Sequence, residues 1–167
     1  DPFLKAEAIE RYMKSHERII FVDFGISLDE KSIAQCFEKH EGVGCLVFPG
    51  VKEGIDWELF KHKVQSGSTE PTEQMGLHFD TEIGAKISDD IYKVKTTTSK
   101  AWCMNTKNVI KSIKDKKSGK WTINPKMFAK FTEQGVRIYA FTAAKLVMTY
   151  THECISNILN AAGIKVN

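Results

Sequence analysis

Eleven lysines lie between residues 91 and 130 with a single acid, Asp115, among them, a net charge of +10. Residues 1–90 run the other way, with 10 Lys or Arg against 18 Asp or Glu, and residues 131–167 carry three bases and two acids. The whole-chain total of +3 therefore hides a polarised protein. A lysine-dense stretch holding Trp102 and Trp121 points to a polyanion, with nucleic acid first. On a strand over residues 91–98, Lys93 and Lys95 would share a face. On a helix opened by Thr106, Lys107, Lys111 and Lys114 are spaced by four and three and form one row, away from Val109, Ile110 and Ile113. Lys100, Lys116, Lys117 and Lys120 extend the charge on either side. Like charges at helical spacing cost about 0.2–0.5 kcal/mol per pair. A solvated helix usually interleaves glutamates to avoid that, whereas a bound polyanion would relieve it and gain from counterion release.

Every base in this stretch is a lysine, which meets phosphate as a point charge without the bidentate fork that reads guanine edges. Backbone contact with low sequence specificity is the expectation. Trp102 and Trp121 could stack on unpaired bases, each worth about 1–3 kcal/mol, and core packing is the competing role for both. The expected nucleic-acid-binding set is thus Lys93, Lys95, Lys100, Trp102, Lys107, Lys111, Lys114, Lys116, Lys117, Lys120 and Trp121, gathered on one exposed face. Two other readings use the same charges. The acidic first ninety residues could fold against the basic segment, or opposed acidic and basic faces could serve a protein partner or head-to-tail self-assembly.

The acids suggest a third chemistry. Asp23 ends an apolar strand and enters a loop, where α/β proteins tend to place ligand-binding groups. His78, Asp80, Glu82, Asp89 and Asp90 form a second cluster on expected hairpins. Carboxylates from the two places could hold a divalent metal for phosphodiester hydrolysis. Acids at strand ends are usually caps and turn formers, so Asp23 is expected to bond local backbone amides. His40, Cys45, His152 and Cys154 carry no sign of an activated thiolate. No Walker loop, Rossmann glycine pattern, HExxH or GxSxG occurs. The expectation is a binding module without enzymatic activity, cofactor or metal.

Short elements must position these groups. Asp1-Pro2 suits a helix opening, and Leu4, Ala8, Ile9, Tyr12 and Met13 recur at helical spacing over residues 2–15. Ile19-Ile20-Phe21-Val22 is a β-branched run that suits a strand buried on both faces. Ser27 to Glu30 has the form of a capping box, opening a helix that buries Ile33, Ala34 and Phe37 and stops near Gly42. Val43 to Phe48 is a second buried strand, completing a βαβ unit with Gly42 and Gly44 as punctuation. Asp56 can cap a helix with Trp57, Phe60 and Val64 on one side. Residues 66–74 have loop composition and form the one candidate internal boundary. Leu77–Phe79, Ile83–Ile87 and Ile91–Thr98 follow as short strands, with Ser88-Asp89-Asp90 as a turn. Asn124-Pro125 opens a helix with Met127, Phe128 and Phe131 inward and Gly135 as its stop. Val136 to Phe141 favours a strand by propensity. A long last helix is expected over residues 142–162, with Val147, Tyr150, Cys154, Ile158 and Ala161 along one stripe.

The sum is a single α+β domain over residues 1–167: a mixed sheet flanked by helices, with an N-terminal αβα part at 1–65, a hairpin and helical part at 75–167, and a long C-terminal helix. A chain of 167 residues buries roughly 70% of its unfolded surface and needs no disulfide to be stable. The four cysteines form no CxxC pair and lie in apolar patterns, which suits buried free thiols in a reducing, intracellular and cytoplasmic setting. No apolar run is long enough to span a bilayer, so no membrane partner is expected. The chain opens on Asp1 rather than Met, as an excised domain or processed product would.

Overall fold

The computed structural model describes residues 2–52, 54–114, 127–144 and 147–148. Helix α1 (Pro2–Met13) leads into strand β1 (Arg18–Val22), a short strand β2 (Ile26–Ser27), helix α2 (Glu30–Phe37) and strand β3 (Val43–Val47). Helix α3 (Trp57–Gln65) and a 3-10 turn at Thr72–Gln74 precede the hairpin β4 (Thr81–Ser88) and β5 (Ile91–Thr97). Strand β6 (Ala101–Asn105) runs directly into helix α4 (Thr106–Ile113), and helix α5 (Met127–Glu133), β7 (Arg137–Phe141) and β8 (Val147–Met148) complete the described elements. Six strands form one mixed sheet in the order β1-β6-β3-β7-β5-β4, and β2 pairs with β8 apart from it. The expected mixed sheet with flanking helices is present.

Strand β3 is buried along its whole length, because its sequence VGCLV offers apolar or small residues to both sides. On one side Cys45, Val47, Trp102, Met104, Ile138 and Ala140 pack under α1, α4 and α5 through Ile9, Met13, Val109, Ile113, Phe128 and Phe131. On the other, Leu46, Cys103, Ala101, Phe141 and Ile91 meet Cys36 of α2 and Phe48. β3 is parallel to β7 and antiparallel to β6, and β6 is antiparallel to β1. The expected βαβ unit is thus opened up, with β1 and β3 aligned in direction and β6 inserted between them.

Several local expectations change. Strand β1 is an edge strand, and Ile20 and Val22 are exposed rather than buried, because β6 is its one partner among the described residues. The N-cap of α2 is Asp29, whose Oδ1 accepts from the Ser32 amide at 3.3 Å and from the Ser32 hydroxyl, while Ser27 lies in β2. The helix turns Ser32 and Cys36 inward and leaves Ile33, Ala34 and Phe37 exposed. Its rotation is set by Cys36, which meets Cys103 on the sheet. Asp29→Ala should cost about 1 kcal/mol, as other lost caps do, and urea unfolding followed by circular dichroism would measure it.

Asp56 caps α3 as expected, accepting from the Leu59 amide at 2.9 Å, but Trp57 and Val64 stay exposed. Of Leu77–Phe79, Phe79 alone makes a bridge, to Val51. Thr106 does not cap α4: its hydroxyl donates to the His16 carbonyl at 2.6 Å and the Glu17 carbonyl at 3.1 Å, tying the helix to the α1–β1 link. Helix α5 buries Met127, Phe128 and Phe131 as its spacing requires, and β7 is a strand. The long last helix does not begin at residue 142, where a turn stands, and residues 147–148 are in a strand. The rest of that stretch lies outside the described residues. Among the described residues no helix is long and apolar enough to cross a membrane.

Candidate anion-binding trough

The expected lysine face divides. α4 packs against the side of the sheet that holds Val109 and Ile113, and Lys107 and Lys111 stand exposed on its outer surface; Lys114, expected to continue their row, is exposed but lies past the end of the helix in extended backbone. Lys93 sits opposite Tyr139, which packs with the cluster on the other side of the sheet, so it is separated from the α4 row by the sheet itself. Lys95 beside it pairs with Glu82 across the hairpin at 3.1 Å. Lys100 lies in the turn before β6, where its carbonyl accepts from the Asp23 amide at 2.9 Å, at the opposite end of β6 from Lys107. Lys116, Lys117, Lys120 and Trp121 lie outside the described residues. Trp102 leaves the set: it is 2% exposed, stacked on Phe21 with ring centroids 5.0 Å apart and edge-on to Phe128 at 6.3 Å. On β6 it stands opposite Phe21 of β1 and Val47 of β3, and this packing gives its ring no open side for a base.

The α4 lysines instead meet cations from outside the basic stretch. At the end of the sheet where β1, β3 and β7 begin and β6 ends, two concavities of about 670 and 900 Å³ adjoin through Glu41, Gly42 and Asn108. Arg18, Lys39 and Lys107 line the first, and Lys111 and Arg137 the second. The carboxylates along them are Glu17, Glu38 and Glu41, so among the described residues the trough holds five cations against three anions. Glu17 reaches Lys107 at 3.7 Å in a fully wet setting, where such a pair is worth little.

Local structure fixes these groups. Arg18 Nη1 donates to the Phe37 carbonyl at 3.0 Å, bracing the guanidinium against the last turn of α2. Asn108 Nδ2 donates to the Val43 carbonyl at 2.8 Å and ties α4 to the start of β3. Gly42 has φ of +71°, and a Cβ there would meet Arg137 Nη1 at 3.1 Å, so the glycine gives the guanidinium room beside the chain. Polar side chains that could meet a ligand between the cations are Gln35, Asn105 and Gln134.

His40 adds a neutral group to the wall. Its Nε2 is buried with no hydrogen-bond partner among the described residues, and burial holds the imidazole below its ordinary pKa. Cys36, Cys45 and Cys103 are free thiols lining the first concavity. The hydrogen bond with Cys103, together with burial, pushes the Cys36 thiol up, and burial pushes Cys45 up, so neither is poised as a nucleophile beside His40.

The acids proposed as metal ligands do not meet. Asp23 Oδ1 accepts from the Phe24 amide at 2.9 Å, the local role its position suggests. Asp80 Oδ1 accepts from the Gly50 amide at 3.0 Å and the Thr81 hydroxyl at 2.7 Å, and burial raises its pKa. Glu82 pairs with Lys95, Asp89 with Lys86 at 3.1 Å, and His78 with Asp56 at 2.9 Å. Among the described residues no three His, Cys, Asp or Glu side chains are grouped to hold an ion.

Arg18, Lys39 and Arg137 were not singled out from sequence, since each stands alone in a region of mixed charge. The one sequence signal for them is that Arg18 and Arg137 each precede an apolar strand run and so belong to the same kind of strand end. No family model, no curated protein and no solved structure matches this chain.

Proposed function

We propose that the protein is a non-enzymatic binding module that holds single-stranded RNA or DNA by its phosphates along this trough, with low sequence specificity. The observation that carries the reading is convergence: cations from β1, the α2–β3 link, α4 and β7 line adjoining concavities. Arg18 and Arg137 supply the planar forks that the lysine stretch lacks, suited to bidentate phosphate contact. The flanking carboxamides can bond sugar or base edges without demanding one base. The lysines of the β4–β5 hairpin stand outside this reading.

Fluorescence anisotropy with a labelled single-stranded RNA tests it. Affinity should fall steeply with salt, because each neutralised phosphate releases counterions. Replacing Lys107, Lys111 and Arg137 with Glu should weaken all sequences at least about tenfold and reduce the salt slope by about three. Lys93→Glu, on the other side of the sheet, should leave the affinity within about twofold. Absence of binding at low salt, or an affinity unchanged by the triple substitution, would sink the proposal. Oligomers that grow with concentration and dissolve in salt would point instead to head-to-tail self-assembly.

A further inference from the structure

Two of the free thiols meet. Cys36 is one of the two residues that α2 buries, the other being Ser32, and Cys103 stands in the middle of β6, opposite Ile20 of β1 and Leu46 of β3. Both belong to the cluster under α2, and Cys103 Sγ lies 3.7 Å from the Cys36 carbonyl. The Cys36 thiol has two acceptors in reach, the Ser32 carbonyl at 3.4 Å and the sulfur of Cys103. Both cysteines border the first concavity, which gives a small solute a route to the pair from water. Cys103 keeps 6% of its surface exposed, whereas Cys45, which packs on the other side of the sheet, keeps none.

The surroundings give the two sulfurs different tasks. The hydrogen bond from Cys36 holds the Cys103 thiol below its ordinary pKa, with the Arg18 guanidinium acting the same way and burial opposing. The same hydrogen bond, together with burial, pushes Cys36 up, so Cys36 keeps its proton. Reactive thiols are those with thiolate character and a route to solvent, and Cys103 has both. We propose that Cys103 and Cys36 form a peroxide-reducing dithiol site, in which Cys103 attacks hydrogen peroxide and Cys36 closes a disulfide. The Cys103 thiolate attacks one peroxide oxygen and breaks the O–O bond, becoming a sulfenic acid and releasing hydroxide, which takes up the proton that Cys103 gave away. Cys36 then attacks the Cys103 sulfur, and its thiol proton leaves with the sulfenic hydroxyl as water. In sum, two thiols and one peroxide give one disulfide and two waters, the sulfurs being oxidised and the peroxide reduced. α2 buries so little else that it can shift the small distance a disulfide requires. The inference does not rest on nucleic-acid binding.

The experiment treats the reduced, native full chain with hydrogen peroxide, unfolds it, caps the remaining thiols with iodoacetamide and maps the tryptic peptides by mass. Residues 32–39 and 101–107, which carry one cysteine each, should appear joined and two hydrogens lighter than their sum. Cys36→Ser should stop at a Cys103 sulfenic acid that dimedone captures, and Cys103→Ser should slow the oxidation of Cys36 by about tenfold or more. Circular dichroism checks that these variants fold, and the peptide map of the unsubstituted chain needs no variant. Recovery of both thiols as capped cysteine, after a peroxide dose that fully oxidises free cysteine, would overturn the inference. So would a Cys36 that oxidises as fast without Cys103, or either thiol joined mainly to Cys45, to Cys154 or to a second chain.

Discussion

Trp102→Ala is expected to destabilise the protein by about 3–5 kcal/mol, the range for removing a large aromatic side chain from a packed core. Trp102 is 2% exposed, lies flat on Phe21 and meets the edge of Phe128, which in turn is edge-on to Phe131. Removal leaves a void shared by β1, β6 and α5, three elements that cannot all move inward without giving up other contacts. Urea unfolding monitored by circular dichroism would measure the loss. A change under about 1 kcal/mol would contradict a core role. The same residue was a candidate base-stacking platform, and the two roles separate cleanly. A core tryptophan costs stability while the still-folded fraction keeps its affinity for nucleic acid, whereas a stacking platform costs affinity and little stability.

Gly44→Val should be nearly as damaging, for the opposite reason. Gly44 is buried in β3, and a Cβ built there would lie 2.2 Å from Val136 Cγ1 and 2.9 Å from Val109 Cγ1. Both neighbours are β-branched and held in place by α4 and the start of β7, so neither can swing aside cheaply. Overpacking of a core costs about 1–3 kcal/mol, and here the two extra methyls of valine add to a contact already too close for the first carbon, placing the expected loss at the top of that range. The pairing of β3 with β7 also shifts register between Val43 and Cys45, so this backbone position has no slack to absorb a side chain. Gly84→Ala is the control: its Cβ would first meet Lys95 Cγ at 3.5 Å, an ordinary contact, and stability should stay within about 0.5 kcal/mol. A chemical-denaturation midpoint for Gly44→Val equal to that of Gly84→Ala would disprove the close approach.

These two residues illustrate a general limit. Gly44 reads as strand punctuation in the sequence because nothing local distinguishes a glycine that ends a strand from one that admits a neighbouring element. Trp102 sits in a charged neighbourhood along the chain but in the middle of a sheet in space. In both cases the deciding neighbours, Val109 and Val136 for one and Phe21 and Phe128 for the other, are distant in sequence from at least one partner.

What the sequence alone determined was local. The helical spacing of Ile9 and Met13, the apolar run of β3, the inward set of Met127, Phe128 and Phe131, the Asp56 cap and the strand at β7 all rest on periods and caps that a few neighbouring residues define. The shared face of Lys107 and Lys111 is equally local, being a property of one helix, whereas Lys114 falls past its end. The tertiary structure alone decided how α2 is rotated, that β6 separates β1 from β3, and that Lys93 and Lys107 stand on opposite sides of the sheet. It also brought Arg18 and Arg137 to one end of the sheet, on strands that neighbour β6 and β3 respectively. The reason is physical: periodicity fixes which residues share a face of one element, whereas pairing order and crossover path fix which faces meet. That choice is made by summed burial over the whole chain, in which no single residue carries a readable vote.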